Sequence, residues 1–145
     1  KIFEIGKIRK EKNYDERTKK VYSSYVARSK TFPFLRYQRD RWYPKGKKKI
    51  PSDINLTKDG LLIFYLSDGC LVNHHRSAWI SLAANCFDFG DIINILLPKI
   101  ERFGINTKLR KSKEIIISGK GNVKRFLDIV GQCPVECYRY KWSLK

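Results

Sequence analysis

Ile50-Pro51-Ser52-Asp53-Ile54, then Leu56-Thr57-Lys58-Asp59-Gly60, then Leu61-Leu62-Ile63-Phe64-Tyr65-Leu66-Ser67-Asp68-Gly69, is the stretch around which the rest of the chain can be ordered. Thr57 is placed to cap a helix, because its side-chain oxygen can accept from one of the amides that a first turn leaves unpaired. From Gly60 to Ser67 the residues are apolar on almost every side, and a helix that is hydrophobic all round must be buried. Asp68-Gly69 then stops it abruptly. The expectation is a buried helix over Gly60–Ser67 with an acid at its C-terminal foot.

Toward the C-terminus, strands are expected at Cys70–His75 and Ser77–Ala84, followed by an amphipathic helix over about 88–103. Two further strands, Asn106–Lys111 and Glu114–Ser118, precede a helix over about 122–130 and a basic aromatic tail, Tyr138-Arg139-Tyr140-Lys141-Trp142. The order from Thr57 is αββαββα. Toward the N-terminus, Lys1–Arg9 and Lys20–Ser29 read as strands around a turn-like Asn13-Tyr14-Asp15-Glu16. Thr31 to Tyr43 reads as a helix, with Phe34, Leu35, Gln38 and Trp42 near helical spacing and Pro44-Lys45-Gly46 as its stop. Lys45–Lys49 is a basic connector. This leading ββα matches the rear half of the longer unit, and both end in aromatic-basic stretches, Arg41-Trp42-Tyr43 in one and the tail in the other. The fold class is therefore α+β with an internal duplication: residues 1–50 form a partial ββα unit with its connector, and residues 51–145 a complete αββαββα repeat.

The chain has 145 residues, 42% of them hydrophobic, with 8 Phe, 8 Tyr and 3 Trp, enough for a packed core and unlike a disordered segment. Of the net charge of +17, +12 falls in residues 1–50. Such a balance points to a polyanion, because each cation near a phosphate releases condensed counterions. No run approaches the roughly 20 apolar residues of a membrane span, so no membrane partner is expected. Leu61–Leu66 and Ile95–Pro98 read as core. No signal or transit peptide is apparent, and the opening on Lys1 instead of Met suggests a processed or truncated protein. Cys133 and Cys137 flank Pro134 at a spacing unsuited to zinc, and adjacent His74 and His75 would point to opposite faces of a strand. Cys70, Cys86, Cys133 and Cys137 are therefore expected to be buried free thiols in a reducing, intracellular compartment. Richness in Lys, Ile and Asn suggests an AT-rich genome, that of an organelle (mitochondrion or chloroplast) or a low-GC microbe.

The stretches Ile50–Ile54, Leu56-Thr57 and Leu61–Gly69 resemble those of LAGLIDADG homing endonucleases, including members with two repeats in one chain. Ile80–Phe87, Ile92–Ile100, Gly104-Ile105 and Tyr140-Lys141 are similar to the family's later landmarks, and the resemblance covers about residues 20–145. Only the apolar helix and the final Asp-Gly match the namesake motif. The resemblance implies two αββαββα repeats whose motif helices pack side by side, here through Gly60, Leu61, Phe64 and Ser67, beneath a basic antiparallel sheet saddle. It implies a site-specific double-stranded DNA endonuclease using Mg²⁺ (or Mn²⁺), with Asp68 and Gly69 at the metal and Asp68, Lys48 and Lys141 as catalytic candidates. The nucleic-acid contacts it implies are Arg17, Lys19, Tyr22, Ser24, Arg28, Lys30, Lys47 and Lys49, then Asn73, His75, Arg76, Lys108, Arg110 and Lys113. A second acid is needed for cutting. It is expected from a first motif helix in a segment ahead of Lys1 or in a separate chain, since two copies paired through Gly60–Ser67 would leave the leading ββα redundant. The other function open to the scaffold is non-catalytic RNA binding, as an intron maturase or a recruited ribonucleoprotein or ribosomal component. In that case Trp42, Tyr43, Tyr138, Tyr140 and Trp142 would stack on the bases of a structured RNA.

Overall fold

A computed structural model describes residues 6–28, 32–74 and 77–144, and the chain divides into two compact units, Lys1–Asp40 and Arg41–Lys145. In the first, β1 (Arg9–Asp15) and β2 (Lys20–Val26) form an antiparallel hairpin registered from Arg9 opposite Val26 to Asp15 opposite Lys20. The first strand thus lies beyond the expected Lys1–Arg9. Residues 1–5 are outside the described residues, and 6–8 precede the strand. The reason is local: the turn is Glu16–Lys19, where the Asp15 carboxylate accepts from the amides of Arg17 (2.9 Å) and Thr18 (3.3 Å). Lys19 takes the left-handed φ of 55° that closes it. Asn13 to Asp15, expected as turn, are strand. Helix α1 (Pro33–Trp42) follows, within the expected Thr31–Tyr43.

In the second unit, a turn at Pro44–Gly46 breaks the chain after α1, with the Lys49 amide bonded back to the Trp42 carbonyl at 2.8 Å. Helix α2 (Lys58–Asp68) starts as its sequence dictates: the Thr57 hydroxyl oxygen accepts from the Gly60 amide at 3.1 Å. Strands β3 (Gly69–Asn73), β4 (Ala78–Ala83), β5 (Lys108–Leu109) and β6 (Glu114–Ser118) make a four-stranded antiparallel sheet in the order β3-β4-β6-β5. Between β4 and β5 run α3 (Phe89–Asp91), a π-helical stretch Ile92–Leu96, and α4 (Leu97–Glu101). The wide turn is closed by the Leu97 amide on the Ile92 carbonyl, immediately before Pro98, which has no amide to continue the regular ladder. The strand expected over Asn106–Lys111 shrinks to two residues, because the Asn122 side chain brackets Asn106 through its backbone amide (3.1 Å) and carbonyl (2.7 Å). Helix α5 (Lys120–Val130) completes the αββαββα order, and the basic aromatic tail that follows is a 3-10 segment, Glu136–Trp142.

The core lies between one face of this sheet and α2, α5 and the α3–α4 rod. Ile80, Leu82, Ile115 and Ile117 from the sheet meet Leu61, Tyr65, Ile92, Ile100, Val123 and Phe126, all fully buried. Burying each such side chain contributes roughly 1.5–3 kcal/mol. The Tyr65 ring sits edge-on to Phe126 (5.0 Å) and Trp142 (5.1 Å). Gly69 passes so close beneath that ring that a Cβ there would lie 2.2 Å from Tyr65 Cδ2 and 2.4 Å from its carbonyl oxygen. Gly69→Ala is therefore expected to destabilise the unit by about 1–3 kcal/mol or more, since packed backbone on one side cannot move away. Thermal unfolding followed by circular dichroism measures this, and an unchanged melting temperature would show that the turn from α2 into β3 is looser than described.

Two expectations about burial are corrected. Helix α2 is buried on one side only. The cysteines are free, but Cys70, Cys86 and Cys137 are exposed and Cys133 is half-buried. Cys70 faces away from the core because its neighbours Gly69 and Leu71 face toward it.

Candidate active site and nucleic-acid faces

The C-terminal foot of α2 gathers the groups that the sequence marks for chemistry. Asp68, its last residue, is exposed. The Ser67 hydroxyl lies 3.0 Å from Asp68 Oδ2, 3.0 Å from the Ile63 carbonyl and 3.3 Å from that of Phe64. A hydroxyl carries one proton, so it serves either the carboxylate or the helix at any moment. Gly69 is buried, and its amide donates to the Tyr65 carbonyl. Lys141 reaches the same turn from the tail: its Nζ donates to the carbonyls of Leu66 (2.7 Å) and Tyr65 (3.2 Å). The phenol of Tyr65 donates in return to the Lys141 carbonyl, and burial pushes that phenol well above the usual tyrosine range. Lys48 is placed otherwise, half-buried with Nζ at 3.3 Å from Cys86 Sγ and 4.7 Å above the centre of the Phe87 ring.

Among the described residues no group of three or more His, Cys, Asp or Glu could enclose a metal ion. That still fits a hard divalent cation of the Mg²⁺ kind, which keeps several waters and commonly takes one or two carboxylates plus substrate phosphates. An exposed carboxylate such as that of Asp68 could supply one such ligand.

The outward side of α2 carries Gly60, Ile63 and Ser67, with Phe64 at its border; Ile63 is 62% exposed. Leu61, expected at a helix interface, is in the core instead, because the 100° step of a helix puts it with Tyr65 on the opposite side from Gly60, Ile63 and Ser67. Beside this side runs an apolar groove of about 470 Å³, lined among others by Trp42, Ile54, Ile63, Phe64 and Phe87. Ile63 is the residue that sequence reading missed here, and helical phase would have found it.

On the sheet, the strand register separates two faces. Away from the core lie Cys70 and Val72, Trp79 and Ser81, Lys108, and Glu114, Ile116 and Ser118. Of the residues expected to touch nucleic acid, Lys108 is on this face and exposed. Arg110 is exposed beyond β5, 3.6 Å from Glu114, whose carboxyl is held below its usual range by the Ser112 hydroxyl and, to a lesser extent, by Ser81 and Arg110. Asn73 is on the core side, its amide donating to the Ser143 carbonyl at 2.8 Å. The Lys113 ammonium turns inward to the Phe87 carbonyl at 2.7 Å. Both side chains are thus engaged by backbone carbonyls, and both residues are half-buried. His75, Arg76 and Lys30 lie outside the described residues. Lys47 and Lys49 are exposed in the connector.

In the hairpin the same parity places Tyr22 and Ser24 on the side of Arg9, Glu11, Asn13 and Asp15. The Tyr22 hydroxyl donates to Thr18 (3.2 Å) and the Asn13 amide to Ser24 (3.1 Å). Arg17, Lys19 and Arg28 are exposed outside the strands. The other side, Lys10, Lys12, Tyr14, Val21, Ser23 and Tyr25, is exposed throughout, with Tyr14 at 58% and Tyr25 at 73%. Nothing in the sequence marks this lysine-tyrosine face, because the polar run Lys10-Glu11-Lys12-Asn13 carries no apolar alternation.

An αββαββα unit whose first helix ends in Asp-Gly above an antiparallel sheet, preceded by a ββα segment, defines the class of homing endonuclease-like folds. The LAGLIDADG DNA endonuclease family matches residues 3–126, and the chain belongs to it. A DNA endonuclease of Chlamydomonas applanata, I-ChuI, is 26% identical over 147 residues, covering 90% of this chain and 66% of that protein. The uncharacterized protein MJ1098 of Methanocaldococcus jannaschii is 35% identical over 75 residues, 51% of this chain and 30% of its own length. The homing endonuclease I-WcaI, solved bound to its DNA recognition sequence, superposes with a TM-score of 0.77 at 16% identity, over 97% of this chain and 65% of that one. The chain thus spans less than two thirds of the length of each of these proteins, and under a third of MJ1098.

Proposed function

We propose that this chain supplies one catalytic half, and part of the other, of a site-specific double-stranded DNA endonuclease that hydrolyses phosphodiester bonds with Mg²⁺ or Mn²⁺. One observation carries the reading: an exposed carboxylate, Asp68, ends a helix whose outward side is small or apolar and borders an apolar groove. That side suits a second motif helix, which would bring a second acid beside the first. Asp68, with the turn at Gly69, would hold the cation, whose chemistry is to neutralise charge on the phosphate and activate water. Lys48 offers a positive charge for a phosphate, and Lys47, Lys49, Lys108, Arg110, Arg17, Lys19 and Arg28 offer further phosphate or base contacts.

A second reading, RNA binding, is favoured by the exposed lysine-tyrosine face of the hairpin, since unpaired bases stack on exposed aromatic rings and paired ones do not. Binding of the chain to a 30-base-pair duplex and to a single-stranded RNA, titrated at several salt concentrations, separates them. The endonuclease reading expects tighter binding to duplex, weakening by about 10³-fold or more between 50 and 200 mM salt. Preference for the RNA, abolished by Tyr14→Ala with Tyr25→Ala, would favour the other.

A further inference from the structure

We propose that Lys141 is a positioning residue: it fastens the last turn of α2 so that Asp68 is presented to a divalent cation, and it does not itself reach the reacting phosphate. This rests on the assignment of Asp68 to the metal.

Lys141 is 5% exposed and is the buried charged residue of the described structure. Its ammonium has three protons, and two are directed to the Leu66 and Tyr65 carbonyls, at 2.7 and 3.2 Å. Both lie in the last turn of the helix, where the Tyr65 carbonyl also accepts from the Gly69 amide, and a cation there also meets the negative end of the helix. The same Nζ stands 5.1 Å from the centre of the Tyr138 ring and 5.8 Å from that of Tyr65. The clasp is reciprocal, because the Tyr65 hydroxyl donates back to the Lys141 carbonyl at 2.5 Å, across 76 positions of sequence. Trp142 next door packs on Tyr65 and donates through Nε1 to the Gly131 carbonyl at 2.7 Å, which ties the tail to the end of α5.

An ammonium so placed would have to surrender both carbonyl bonds to reach a phosphate; the Tyr65 carbonyl would keep the Gly69 amide, but the shorter bond, to the Leu66 carbonyl, would be lost. Asp68 follows Leu66 by two residues, so whatever holds the Leu66 carbonyl holds the direction in which Asp68 leaves the helix. Partners that act through a metal ligand commonly contribute about 10–100-fold to metal affinity.

The test is nuclear magnetic resonance of the whole chain, following line-broadening of the Asp68 amide as Mn²⁺ is added, with the fold of each variant checked by circular dichroism. Lys141→Met is expected to require about tenfold more Mn²⁺ than the unmutated protein, and Lys141→Arg to remain within about threefold of it. Equal titrations for the unmutated chain and Lys141→Met would overturn the positioning role while leaving Asp68 as metal ligand. No broadening of Asp68 in the unmutated chain would instead sink the metal assignment, and the inference with it. If Lys141→Met does not fold, the Lys141 ¹⁵Nζ resonance of the unmutated chain decides. An unchanged signal on adding Mg²⁺ and duplex supports the clasp, and a measurable coupling to a DNA phosphorus contradicts it.

Discussion

Asp68→Asn is expected to lower strand cleavage by more than about 100-fold while changing duplex affinity by less than about threefold. The first figure follows because partners one step removed from a metal already cost about 10–100-fold when lost, and Asp68 is the proposed ligand itself. Asparagine keeps the size and the helix-end position, so Ser67 and Gly69 have no reason to move. What disappears is the negative charge that attracts the cation. Binding, as proposed, would draw on many exposed cations, among them Arg17, Lys19 and Lys108, and one carboxylate at the foot of α2 would oppose phosphate when no metal is bound. The measurement is single-turnover cleavage in Mg²⁺ with a second motif helix supplied, beside a gel shift in Ca²⁺. Cleavage by Asp68→Asn at the unmutated rate would remove Asp68 from the metal.

Tyr65→Ala is expected to destabilise the second unit by about 3–5 kcal/mol, the usual range for deleting a large buried ring. Tyr65 is 0% exposed and packs on Phe126, Trp142 and the backbone of Gly69, so the cavity it leaves is walled by groups that are themselves fixed. Tyr65→Phe keeps the ring and loses only the hydroxyl bond to the Lys141 carbonyl, for about 1 kcal/mol. Urea denaturation separates the two. A small loss for alanine would mean that the tail and α2 are not held together by this side chain.

The architecture was legible where side-chain chemistry and local structure agree. Thr57 announces the start of α2 and Asp68-Gly69 its end, and alternation in Ala78–Ala83 and the run in Glu114–Ser118 mark the central strands. β1 was displaced because Lys10-Glu11-Lys12-Asn13 has no apolar alternation; its pairing is carried by the main chain opposite Tyr22–Tyr25. The one-sided burial of α2 was not legible, since apolarity says that a side must be covered and not which chain covers it. Leu61 and Ile63 differ by two positions and by most of a half-turn, and only helical phase assigns one to the core and the other to the outside. The site was legible as residue types and only in part as geometry. Lys141 is one among 31 cations in the sequence, and nothing local marks it as the one that folds back 76 positions to Tyr65. Asn73 and Lys113 likewise read as surface polar residues, yet their partners, Ser143 and Phe87, are far along the chain.

The central claim is that Asp68 at the foot of α2 completes a metal-dependent DNA-cutting centre when a second motif helix covers the outward side of that helix. The most direct measurement mixes this chain with a partner segment bearing an acid-ended motif helix, adds Mg²⁺ and a randomised duplex pool, and sequences the newly formed ends. The account predicts ends at one recurrent long site, lost on chelation, on Asp68→Asn, and on Ile63→Asp, which places a charge on the covered side. Intact duplexes under all conditions, with partner and metal both present and the complex shown to form, would contradict it.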